Sequence, residues 1–119
     1  EAEWDIMKQH PVIGESIIVA TEIEGSRQTA FVIRHHHEYY NGQGYPDGLA
    51  KEDIPICSRI ISIADGYDAM AVARSYHLAR THPKVMEILR NETGKKYDPQ
   101  LMHIFCEIIE GSQFKATET

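Results

Sequence analysis

Long apolar runs, paired cysteines and basic stripes are all missing from this 119-residue chain, and each absence narrows what it can be. No apolar stretch exceeds a few residues, so the sequence offers no membrane-spanning helix. The opening residues show none of the charged, apolar and small-residue pattern of a secretory signal. Its two cysteines, Cys57 and Cys106, have no Cys-x-x-Cys spacing. Each sits in an apolar helical pattern, which predicts buried free thiols and a reducing, cytoplasmic setting. With a formal net charge of -6 and no Lys/Arg stripe, a general grip on nucleic acid is disfavoured. An anionic substrate would then need local positive charge, and bound metal ions are one source of it. No segment alternates with the period of a strand over a useful length, and there are no repeats or low-complexity tracts. Ser16, Ser58, Ser62 and Ser75 lack a nucleophile elbow. Gly42-Gln43-Gly44 lacks the flanking strand and helix of a phosphate-binding fingerprint.

What is present is helical periodicity. A hydrophobic content of 42% over this length is enough for one globular domain with its own core. Residues 1–9 read as an amphipathic helix that starts abruptly, as if within a longer protein, and ends at a junction at His10-Pro11. A second helix runs from Pro11 to Ile23 and is stopped by Glu24-Gly25-Ser26, with Ser26 as cap of the next. The third extends from Arg27 to Tyr40. Residues 41–55 carry Gly42, Gly44, Pro46, Gly48 and Pro55, and a loop of that length in a compact domain points to function. Ile56–Ala73 is apolar around much of its circumference and reads as a central helix. A shorter helix begins near His82-Pro83 and closes at Gly94, which is placed for a left-handed cap. Asp98-Pro99 is an N-cap followed by proline at the first helical position, opening a last helix to Glu110. The chain therefore reads as all-α, a bundle of about five to six helices.

The chemistry concentrates in Arg34-His35-His36-His37-Glu38-Tyr39-Tyr40-Asn41-Gly42-Gln43-Gly44-Tyr45-Pro46. Neutral imidazoles are common transition-metal ligands, and three in succession are rarely a packing solution. On a helix the His36 and His37 side chains diverge by roughly 100°, so they would serve two neighbouring ions rather than one. His35 would point elsewhere, to the surface or behind the ligands. Asp65 falls mid-helix on a face that should be buried, with Asp68 one turn on. It either faces solvent, or bonds Arg59, or contributes to a site, because a lone buried carboxylate is costly. His10, His36, His37 and Asp65 together supply three imidazoles and a carboxylate from separate helices, the kind of set from which a bundle builds a metal centre.

His36-His37-Glu38 followed by Asn41-Gly42-Gln43-Gly44-Tyr45-Pro46 resembles the signature of HD-GYP domains, a branch of the HD metal-dependent phosphohydrolases. The resemblance runs from Ile6-Met7-Lys8-Gln9-His10-Pro11 through Ala64-Asp65-Gly66-Tyr67-Asp68-Ala69 to Tyr97-Asp98-Pro99, essentially the whole chain. It implies a helical domain with two or three divalent ions, iron or manganese, hydrolysing cyclic di-GMP in bacterial signalling. On matching positions the metal ligands are His10, His36, His37 and Asp65. Tyr45 and Pro46 shape the mouth of the site, and Arg74 matches a position that contacts substrate phosphate. Ser75-Tyr76-His77 departs from the family's Pro-Tyr followed by Arg or Lys, leaving His77 as a weaker cation that can still donate to a phosphate. The resemblance also implies an attached sensory or receiver domain, and a diguanylate cyclase (GGDEF) domain as partner through the Gly-Tyr-Pro loop. The family's His-Asp pair and Gly-Lys, expected before His10, are not in this sequence. Residues 1–119 are thus read as the C-terminal portion of such a domain, of low activity alone and prone to homo-oligomerise through an exposed apolar groove. The alternative is a degenerate, non-catalytic module that acts by binding protein or nucleotide.

Overall fold

The computed structural model describes residues 2–71 and 80–111, with side chains from Lys8 onward. Arg74 and His77 lie outside the described residues. Among the described residues five α-helices follow one another: α1 (Ala2–Ala20), α2 (Ser26–Arg34), α3 (Ile56–Ala71), α4 (His82–Glu92) and α5 (Pro99–Glu110), with a 3-10 turn at Lys51–Asp53. Among the described residues there is no strand, only an isolated bridge between Thr93 and Tyr97. No described helix is long and apolar enough to cross a membrane. The all-α expectation holds.

Two helical units meet. In the first, α1 lies along α2 as a hairpin. The expected junction at His10-Pro11 is absent: α1 runs through Pro11, which is fully buried. Burial of the ring in the helix pairing outweighs the local preference of proline to break a helix. Gly14 permits this close pairing, because a Cβ there would sit 2.9 Å from Ile33 Cγ2. Gly25, at φ 83, is the N-cap of α2, and Ser26 is its first helical residue rather than its cap. Helix α2 also ends at Arg34, six residues before the expected Tyr40. His35 to His37 form a turn instead, and buried Glu38 just after them accepts from the amides of Asp47 and Leu49, which a straight continuation of α2 would carry out of reach.

In the second unit α3, α4 and α5 enclose an apolar core of Ile63, Tyr67, Val85, Met86, Leu89, Tyr97, Met102 and Ile109. Its boundaries follow the sequence signals. Gly94 has φ 87, and the Asp98 carboxylate accepts from the amides of Gln100 and Leu101. The other Asp98 oxygen accepts from Arg59 Nη1 at 2.8 Å, while Arg59 Nε donates to the Ile54 carbonyl, tying the start of α3 to the start of α5. The prediction of buried thiols fails for Cys57, which is exposed, and Cys106 is only half-buried against the core. At the start of α3 the apolar pattern runs all round the helix, and Ser58 rather than Cys57 points inward, donating to the Val32 carbonyl at 2.7 Å. Ile13, Ile17, Ile23, Ile56 and Ile60 remain about half exposed.

Candidate metal centre

The site forms where the two units meet. The turn after α2 brings His36 and His37 together, with ring centroids 4.1 Å apart. From α1, His10 reaches both, at 5.5 Å centroid to centroid in each case. One nitrogen from each of the three imidazoles lies within 4.8 Å of the others. The expectation that His36 and His37 diverge is therefore corrected. It assumed helical geometry, and in the turn the two rings converge on a common point.

Three features fit this trio to a metal ion. His36 Nδ1 stands 2.6 Å from the Ile33 carbonyl, so it carries the proton and donates, leaving Nε2 as the lone-pair atom. Burial pushes the His37 imidazole down to about 4, and the neighbouring His36 and His10 add to that shift against the opposing pull of Asp65. His37 is therefore neutral, the ligating form, near pH 7. Asp65, on α3, lines a cleft of about 190 Å³ together with His36, His37, Ser62, Lys96 and Tyr97. Of the alternatives for Asp65, the buried one does not hold: the residue is exposed and lines this cleft. Arg59 is not its partner, being committed to Asp98.

The loop packs against His37, which lines the cleft. The Tyr45 ring stacks on His37 at 5.3 Å and 25°, and the Tyr45 amide donates to the His37 carbonyl at 3.2 Å. The peptide between Tyr45 and Pro46 is cis. A Cβ on Gly44 would collide with the Tyr39 amide nitrogen and the His37 carbonyl, so only glycine lets the loop cross its own start. Burial pushes the Tyr45 phenol above its ordinary value. Opposite, the Tyr40 and Asn41 amides donate to the carbonyls of Lys96 and Lys95, which sets the α4–α5 connection against the loop. Burial pushes the Tyr97 phenol up to about 12, so it stays protonated and can donate.

A second group of donors, His35, Glu38 and Asp47, is close enough to hold an ion but is already hydrogen-bonded. Glu38 accepts from His35 Nδ1 and from the amides of Asp47 and Leu49. Both Asp47 oxygens accept from the Arg34 guanidinium, which holds that carboxyl below its usual range and also reaches Glu15 at 2.7 Å. His35, expected at the surface or behind the ligands, is buried in this network and outside the trio.

Sequence reasoning brought forward His10, His36, His37, Asp65, Tyr45 and Pro46. It missed Lys96, Tyr97 and Glu38. Lys96 and Tyr97 adjoin the cleft through the Tyr40–Lys96 pairing, which no local pattern announces. Glu38 stood inside the motif, and its signal was a carboxylate between an apolar helix and a glycine-rich loop.

An HD domain model matches residues 1–101. Similar proteins include the cyclic di-GMP phosphodiesterase response regulator RpfG of Xanthomonas campestris, 38% identical over 84% of this chain and 26% of its own length. The 3'3'-cGAMP-specific phosphodiesterase 2 of Vibrio cholerae is 34% identical over 88% of this chain and 20% of its own. A cyclic di-GMP phosphodiesterase of Thermotoga maritima is 33% identical over 89% and 29%. The chain thus spans about a quarter of the length of the curated relatives it matches. A crystal structure of a cyclic GMP-AMP specific phosphodiesterase of V. cholerae superposes with a TM-score of 0.68 at 27% identity, covering 85% of this chain and 23% of that one. With a family model matched over most of its length, this chain belongs to the HD domain family.

Proposed function

We propose that the chain forms part of a metal-dependent phosphodiesterase that hydrolyses a cyclic dinucleotide, cyclic di-GMP first, in bacterial second-messenger signalling. The observation that carries this reading is the convergence of the His10, His36 and His37 nitrogens within 4.8 Å beside the Asp65 cleft. These four residues would hold two or three divalent ions, manganese or iron. Such ions, when bound, supply Lewis-acid activation of water and of phosphate oxygens. The chain's own side chains then do the positioning. Lys96 places an ammonium at the cleft of an otherwise acidic chain, where it offsets the charge of a phosphodiester. Tyr97 keeps its proton and serves as a donor. Tyr45 and Pro46 wall the mouth, with Arg74 and His77 as further phosphate contacts. The test is incubation of the intact protein, loaded with manganese or ferrous iron, with cyclic di-GMP. Release of linear dinucleotide or GMP is expected, and no turnover with metal bound would overturn the reading.

The relatives include enzymes named for cyclic di-GMP and for 3'3'-cGAMP, so a second substrate reading is the mixed dinucleotide. Competition between the two nucleotides in one assay separates them. The 119-residue chain alone is expected to hydrolyse little, because it carries four of the donors and no His-Asp…Gly-Lys segment.

A further inference from the structure

Glu38 is the most deeply buried acid described, 2% exposed, and it is no ligand in the reading above. A buried carboxylate is retained at such a position only if donors surround it. Here they do. Oε2 accepts from His35 Nδ1 at 2.9 Å and from the Asp47 amide at 3.0 Å, and Oε1 accepts from the Leu49 amide at 3.1 Å. Its partners lie 3 residues before it and 9 and 11 after it, so a single side chain joins the histidine turn to the far limb of the loop. Between these anchor points the loop crosses its own start at Gly44 and lays the Tyr45 ring on His37.

We propose that Glu38 is a positioning residue for His37: by holding the Asp47 and Leu49 amides it keeps Tyr45 stacked on the His37 ring and aims that ring at the trio. The proposal rests on the reading of His37 as a metal ligand. Glutamine is the informative replacement. It keeps one acceptor oxygen but presents an NH2 group to an amide N–H or to His35 Nδ1–H, so at least one of the three bonds is replaced by a donor facing a donor. Outer hydrogen bonds that orient ligands typically change metal affinity by about 10- to 100-fold when removed.

The experiment uses the intact protein, with Ser58→Ala as the control for loss of a buried hydrogen bond away from the loop. Manganese binding is measured by calorimetry. Amide exchange at Asp47 and Leu49 and the ring-current shift of the His37 protons are measured by NMR on the metal-free protein. Glu38→Gln is expected to speed exchange of both amides by about 10-fold or more, to remove the His37 ring-current shift, and to weaken manganese binding by about 10-fold. Ser58→Ala is expected to lower Tm and leave manganese affinity unchanged. Wild-type affinity in Glu38→Gln with the ring-current shift intact, or an equal affinity loss in Ser58→Ala, would overturn the proposal. If the wild type binds no manganese, the metal reading fails by itself, and the ring-current shift alone then decides whether Glu38 orients His37. If Glu38→Gln does not fold, Glu38→Asp is used instead. Its shorter carboxylate cannot span both amides, and an unchanged ring-current shift there overturns the proposal.

Discussion

The two units of this molecule are held together by different physics. The α3–α5 unit closes on an apolar cluster of eight buried residues and adds polar ties at Arg59–Asp98 and at buried His82, which bonds Tyr67 and Glu110. The α1–α2 hairpin and its loop are instead locked chiefly by Arg34, His35, Glu38 and Asp47. An apolar core is forgiving about exact geometry, because hydrophobic burial is non-directional. Hydrogen bonds to a buried carboxylate are not, since each donor must reach its acceptor at the right distance and angle. The candidate metal ligands come mainly from the hydrogen-bonded side, where orientation matters, and the apolar side contributes Asp65 and the cleft floor.

The largest break in that comparison should come from the core. Leu89 is fully buried, and Leu89→Ala is expected to cost about 2–5 kcal/mol in a urea titration. Next is acid. The His37 imidazole falls from 6.5 to about 4 in the folded protein, so above pH 6.5 it is neutral in both states and contributes no penalty. As pH falls through that interval the unfolded chain takes up a proton that the folded chain does not. Stability should therefore drop between pH 7 and pH 4 from this group, by about 1–2 kcal/mol once solvent screening of this part-exposed ring is allowed for. His37→Gln should flatten that part of the pH profile.

Smaller effects sharpen the contrast. Gly14→Ala puts a methyl against Ile33 and should destabilise by about 1 kcal/mol in the same urea titration. Lys96→Met should leave the unfolding free energy within about 0.5 kcal/mol of wild type. It should still weaken cyclic dinucleotide binding several-fold, an effect that shrinks at high salt and is readable by calorimetry at two ionic strengths.

Much of the apolar unit was legible in the sequence, because its signals are local. Gly94, Asp98 and Pro99 mark boundaries within a few residues of where they act. The hairpin was read less well for the same reason in reverse. Pro11 looked like a break until its burial against a neighbouring helix outweighed local preference. His35 to His37 looked helical because an apolar helix leads into them, yet their geometry is set by Glu38 reaching residues 9 and 11 positions on. The residue types of the centre were visible in advance. The approach of His10 to the histidine pair was expected too; the convergence of the His36 and His37 rings on each other was not, since that depends on the turn.

The most direct measurement is manganese binding by the intact protein with His10 replaced. His10 is exposed, so His10→Ala should fold normally and remove one donor of three. The prediction is saturable binding by wild type, at least tenfold weaker binding by His10→Ala, and no change for His103→Ala, an exposed histidine paired with Glu107 on α5. Wild-type affinity in His10→Ala would contradict the convergence of His10, His36 and His37 on a metal ion.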